Sequence, residues 1–183
     1  AEEAWRTMGE SGFVSTAEWL KFDESMIDER SDQLEELVKQ TLEDTQEIVA
    51  TTKIAPKKVH YYTAANWKWR VYNEALSRAE SQPETLDGLI RDMIAAKPPA
   101  PKDLPKFAGK IVKLARTMPT DMRARRVKMG EVDERKALVE ARSFLAKELK
   151  SEVEVHGDED SGVYDPKGRA RGAEPYRPAI FVE

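Results

Sequence analysis

At 183 residues the chain can form one domain of ordinary size or two small ones, and its 40% apolar content supports a core, while a charged share of 35% points to helices with one solvent-facing side. The absence of cysteine excludes disulfide frameworks and thiolate zinc sites; no apolar run approaches the roughly 18 residues a membrane span needs, and no charged-then-apolar leader opens the chain, so we expect a cytoplasmic protein with no membrane partner. A net charge of −4 conceals an asymmetry: residues 1–54 hold fourteen acidic and five basic side chains, residues 97–129 ten basic and two acidic. Fields fall off within about 10 Å at ordinary salt, so a local basic patch says more about a polyanionic partner than the overall balance does.

In chain order, Ala1 to Met8 reads as a helix end stopped by Gly9 and Gly12, and Phe13 to Trp19 as an irregular stretch. Starting mid-helix at AEEAW without Met, the chain reads as a fragment. From Met26 to Thr52 the residues Leu34, Leu37, Val38, Leu42, Ile48 and Val49 keep near-heptad spacing on an otherwise polar helix. Its stripe predicts a bundle outside this sequence or a second copy, and hence homo-association through residues 27–52. Pro56 ends the helix. In Lys57 to Leu76, Val59, Tyr61 and Thr63 alternate with His60 and Tyr62 as a strand does, and Trp67, Val71, Ala75 and Ala79 then recur at helical spacing.

Ser81 is a candidate N-cap, with Pro83 in the first turn, for a helix buried through Leu86, Leu89, Ile90, Met93 and Ile94. KPPAPKDLP reads as a stiff connector. In the helix from Pro105 to Thr117, Phe107, Ile111 and Leu114 are expected inside and Lys106, Lys110 and Lys113 on a neighbouring face. Arg123, Arg125, Arg126 and Lys128 extend the basic run to Gly130, and Asp133 can cap a helix whose stripe is Leu138, Ala141, Leu145 and Leu149. Val153 and Val155 alternate with Glu152, Glu154 and His156 as a second strand, expected beside the first. Residues 157–172 read as a mobile Gly-, Asp- and Arg-rich segment, and the apolar close AEPYRPAIFVE as an end that docks on something.

The fold class is therefore α+β and mostly helical: a long helix of bundle type, then a small α/β domain with a two- or three-stranded sheet flanked by helices. Its divisions are expected at 1–54, 55–156 and 157–183. The basic cluster of Lys106 to Lys128 has the density of one sign that phosphate contacts require, against the common alternative of a solvated face. Trp67 is expected in the core and Trp69, off the stripe, as a stacking surface. GDEDSG fails as a calcium loop, since the twelfth position from Asp158 is Arg169 rather than Glu. His60 and His156 are expected as structural strand residues, each without a second imidazole nearby, so no metal site is expected. With no P-loop, G-x-S-x-G or dinucleotide turn, no catalytic residue is assigned.

Three segments in this order, MGESGFVSTAEW, KKVHYYTAANWKWRVYNEAL and YDPKGRARGAEPYRPAIFVE, resemble the C-terminal end of leucyl-tRNA synthetases of the archaeal and eukaryotic type. The opening is similar to the last part of the helical anticodon-binding domain of class I synthetases and the rest to the appended C-terminal domain. One departure is Leu20, where the family commonly has proline. The resemblance implies a parent that joins leucine to its tRNA using ATP, with catalytic and editing domains upstream, and a piece that needs no cofactor. It also implies contact with the tRNA outer corner, and with the long variable arm through Pro178, Ala179, Ile180, Phe181, Val182 and Glu183. Sequence-independent grip on the RNA backbone is expected from Lys106, Lys110, Lys113, Arg123, Arg125, Arg126, Lys128, Arg169, Arg171 and Arg177. The alternative is a helical protein-protein interaction module using the acidic first 54 residues.

Overall fold

The computed structural model describes residues 2–9, 11–17, 23, 28–96, 102–158, 160 and 162–183. Trp19, Leu20 and Met26, most of the proline-rich connector and part of GDEDSG lie outside the described residues. Helix α1, Glu2–Thr7, stops before Gly9, whose φ of 87° ends the helical path without steric cost. Helix α2, Glu29–Thr52, starts where Asp28 accepts hydrogen bonds from the Arg30 backbone N–H and the Ser31 hydroxyl. It ends at Lys53, in the left-handed region at φ 56°.

The α2 stripe finds its cover inside the chain. Leu37, Thr41 and Thr45 are buried, and Val38 and Leu42 pack against a cluster that includes Leu138 of helix α7, Glu134–Glu140, and Leu145 of helix α8, Arg142–Leu149. Two threonines sit in this stripe because each returns its hydroxyl proton to the preceding turn, Thr41 to Leu37 O and Thr45 to Thr41 O. The Tyr61 hydroxyl, 2.9 Å from Thr45 Oγ1, must then donate to it. The expectation of an orphaned stripe is corrected for Leu34, Leu37, Val38 and Leu42, whereas Ile48 and Val49 join neither core cluster.

Three strands form one mixed sheet in the order β2, β1, β3 among the described residues. Strand β1, Lys58–Tyr62, pairs in parallel with β2, Glu152–His156, and antiparallel with β3, Ala179–Val182. One face carries Val59, Tyr61, Val153, Val155, Ile180 and Val182 against α7, α8 and α2. The other carries His60, Tyr62, Glu154, His156 and Phe181. A central strand is covered on both faces, so four consecutive residues of β1, Val59 to Tyr62, are buried although the sequence alternates.

A second core lies beside the sheet. Helix α3, Asn66–Ser81, buries Trp69, Val71, Tyr72, Ala75 and Leu76 against α4, Leu89–Ala96, α5, Leu104–Thr117, and α6, Thr120–Met129. Ser81 belongs to α3 and donates to Ser77 O rather than capping a new helix; Pro83–Gly88 forms a 3-10 turn before α4. Ile94 and Leu114, expected inside, are exposed at 42% and 38%. The predicted last helix is two, because the backbone tightens at Ala141, which closes α7 and opens α8. Gly130 at φ 65° ends α6, and Asp133 caps α7 by accepting from Lys136 N.

The closing segment is built into the fold rather than hanging from it. Tyr164 O accepts from the Tyr62 hydroxyl, and Asp165 accepts from the backbone N–H of Arg169 and Ala170. Arg171 O and Ala173 O take the ammonium protons of Lys68, and Glu134 accepts from Tyr176 N. Pro175 and Tyr176 make a turn closed by paired bonds between Glu174 and Arg177, with Tyr176 at φ 63°, which returns the chain along the open edge of β1. An unpaired edge next to buried tyrosines is what gives the apolar end somewhere to dock.

Candidate nucleic-acid interface

Helical spacing sets the basic side chains of α5 and α6 apart into two groups. Lys106, Lys110, Lys113, Arg125 and Lys128 are exposed, whereas Arg123 and Arg126 turn inward. Arg123 donates to Glu80 at 2.7 Å and to Ala115 O at 3.1 Å, tying α6 to α3 and α5. Arg126 lies 4.1 Å from the centre of the Tyr176 ring and donates to the Tyr72 hydroxyl, so its charge is spent on the tail turn. Lys110 pairs with Glu174 at 2.6 Å and Lys128 with Glu29 at 3.5 Å. Exposed pairs of this kind are weak enough to be exchanged for a phosphate.

A concavity of about 800 Å³ runs between the last turns of α2 and the tail. Lys110, Lys167, Arg169 and Arg177 line it together with Pro178, Ala179, Ile180, Phe181 and Val182, and Ile48 and Ile54 add apolar floor. Asp44 and Glu47 stand on the α2 side, with Arg177 Nε 3.9 Å from Asp44. The groove thus joins residues expected separately as backbone grip and as variable-arm contact. Arg171 and Glu183 lie outside it; Arg171 lines a smaller pocket of about 390 Å³ with Tyr62, Trp67 and His156. Lys167 was not singled out from the sequence, although it stands in the DPKGRA run that carries the resemblance.

Both tryptophans join the core, Trp69 more deeply than Trp67, so the expected stacking surface at Trp69 is corrected. Trp69 is 2% exposed, set edge-on to Tyr72 and Tyr176, while Trp67 is partly buried, edge-on to Phe107 and 5.6 Å from the Lys68 ammonium. Trp69 offers no stacking surface because the tail turn closes over it, a long-range contact that helical spacing does not report. Lys68 itself is buried, and loss of hydration lowers its pKa.

Glu134 was also missed. It is 2% exposed, accepts from Ala64 N at 3.1 Å and Tyr176 N at 2.5 Å, and burial pushes its pKa up to about 7. The two histidines meet. Parallel pairing sets His60 opposite Glu154, and His156, two residues on, faces the same side, bringing His60 Nδ1 within 3.0 Å of His156 Nε2. Burial, with the second imidazole beside it, holds the His156 pKa below the usual histidine value. The expectation that each imidazole stands alone is overturned by strand register, which no local pattern reveals.

These features define a mostly helical α+β module with a groove of mixed charge and apolar floor. No protein-family model matches the chain. Along its whole length, however, it is 39% identical to the leucine-tRNA ligase of Methanosarcina barkeri, 34% to that of Methanococcoides burtonii and 32% to that of Pyrococcus abyssi. The chain spans 19%, 19% and 17% of the length of these relatives. A match over the whole chain and 17–19% of each relative fits a C-terminal part of a leucine-tRNA ligase, an aminoacyl-tRNA synthetase, of the archaeal type.

Proposed function

We propose that this chain is the tRNA-docking portion of a leucine-tRNA ligase, holding the outer corner and long variable arm of a leucine tRNA while an upstream domain performs ATP-dependent leucylation. ATP, leucine and the catalytic and editing domains belong, in this reading, to the rest of the enzyme. The observation that carries it is the groove in which Lys110, Lys167, Arg169 and Arg177 flank the tail strand. RNA readers favour exposed loops and ends over the deep groove of a helix, and combine phosphate contacts with apolar surface for an unstacked base. Exposed Lys106, Lys113 and Arg125 extend positive charge beyond the groove for sequence-independent contacts. No described helix is long and apolar enough to cross a membrane.

The test is binding to a leucine tRNA and to the same RNA with its variable arm trimmed, at two salt concentrations. Removing Ala179–Glu183 would strip a strand from the sheet, so Arg169→Ala and Arg177→Ala are the informative changes. Both should weaken binding to the intact RNA and reduce its advantage over the trimmed one. An advantage that survives both changes would refute variable-arm reading by the groove. Salt-insensitive or absent binding would instead favour the protein-interaction alternative.

A further inference from the structure

The face of the sheet opposite α7 and α8 carries a cluster that RNA docking does not use. His60 Nδ1, His156 Nε2 and Glu154 Oε2 form a triangle with sides of 3.0, 3.5 and 3.7 Å. A point equidistant from the three atoms lies roughly 2.0 Å from each, which is the Zn–N and Zn–O bond length. We propose that these three side chains bind a divalent transition-metal ion of the zinc class, stapling β1 to β2.

The surrounding groups are arranged as metal ligands require. His60 is 2% exposed, and its far nitrogen, Nε2, lies 3.3 Å from Glu183 Oε1. A carboxylate there accepts a hydrogen bond from Nε2–H, which leaves the lone pair on Nδ1, at the corner of the triangle, the carboxylate-histidine arrangement common behind metal-bound imidazole. Glu183 is itself held, with Oε2 accepting from the Tyr164 hydroxyl at 3.1 Å. On the other ligand, Lys58 Nζ binds Glu154 Oε1 at 2.6 Å and leaves Oε2 for the ion. With His60 Nε2–H on Glu183, His156 Nε2 donates to His60 Nδ1; on metal binding that proton is carried at His156 Nδ1 instead, a change of tautomer that keeps both imidazoles neutral.

Access comes from the Glu154 side, where that side chain is 38% exposed and His156 16%. Two imidazoles and one carboxylate suit zinc, nickel, cobalt or copper and disfavour magnesium and calcium, which prefer oxygen ligands. Three protein ligands leave at least one position for water. Because Glu183 orients His60, the site also ties the chain end, through the sheet, to the tail strand that lines the groove.

The experiment uses the 183-residue chain without a histidine tag, stripped by chelator. Titration with Zn2+ by calorimetry and with Co2+ by visible absorption should each give one saturable site, and excess Zn2+ should raise the melting temperature because only the folded sheet assembles the ligands. His156→Asn and Glu154→Gln should abolish the Co2+ absorption, while Glu183→Gln should weaken Zn2+ about 10- to 100-fold as an outer-shell change. Glu152→Gln, on the same strand outside the triangle, should bind as the unchanged chain does. Circular dichroism of each variant distinguishes lost binding from lost folding; Glu154 is exposed enough that its amide replacement should fold. Failure of the unchanged folded chain to bind one equivalent, or equal binding by folded Glu154→Gln and His156→Asn, would overturn the proposal.

Discussion

Glu134 shows how one buried side chain sets the position of the candidate groove. Its two oxygens accept from Ala64 N, where β1 hands over to α3, and from Tyr176 N, in the turn that aims β3. Glu134→Ala should leave two buried donors unpaired and cost about 2–4 kcal/mol, read as a lower denaturant midpoint. Glu134→Gln keeps one acceptor and presents an amide donor to the other N–H, so it should cost about half as much. The pH dependence has a definite sign. With its pKa raised from 4.5 to about 7, the folded state holds a proton there that the unfolded chain has released, so this group's contribution to stability falls as pH rises from 4.5 to about 7. The difference in stability between the unchanged chain and Glu134→Gln should therefore narrow over that window, and a difference independent of pH would refute the assignment. Neither Glu134 nor the histidine pair was legible beforehand, since each acquires its partner from a segment about 40 to 100 residues away.

Among elements, the helices were legible because their apolar residues recur at 3.6-residue spacing, and α2, α3 and α5 fall within a few residues of expectation. The 3-10 turn at Pro83–Gly88 and the break at Ala141 were not, because tertiary packing rather than local propensity decides them. The tail offered the least local signal: Gly, Asp and Arg from 157 to 172 read as mobile, yet three different elements hold its backbone. Lys68 is one such clamp, through Arg171 O and Ala173 O. Lys68→Met should keep most of the packed stem but leave both carbonyls without their charged donor. We expect a loss of about 1–3 kcal/mol and faster hydrogen exchange in β3 than in β2. Uniformly faster exchange throughout the sheet would mean that the clamp serves the whole core instead. For α2, Leu37→Ala should cost about 2–5 kcal/mol, as expected of a 3% exposed leucine and not of a solvent-facing bundle remnant.

For the whole molecule, the periodicity of its segments predicted a mostly helical α+β chain and the second strand predicted its partner, because a lone strand leaves its backbone groups unpaired. What composition could not show is how tightly the acidic first third is joined to the rest. A boundary near residue 54 follows from the resemblance and from Pro56, yet α2 packs on α7 and α8, its Thr45 accepts from Tyr61 of β1, and its last turns form one wall of the groove. If these contacts make one cooperative unit, the amides of Leu37 to Thr45 should exchange with the same opening free energy as those of Val59 to Tyr61, and denaturant should raise both together. If α2 is a separate domain, its amides should open at a lower free energy and the groove with them. The same measurement bears on RNA binding, since a wall that opens independently must be ordered at binding and lowers affinity by that cost. We expect the common opening. A shared hydroxyl pair and a continuous apolar cluster couple α2 to the buried central strand, whereas Pro56 interrupts only the backbone between them.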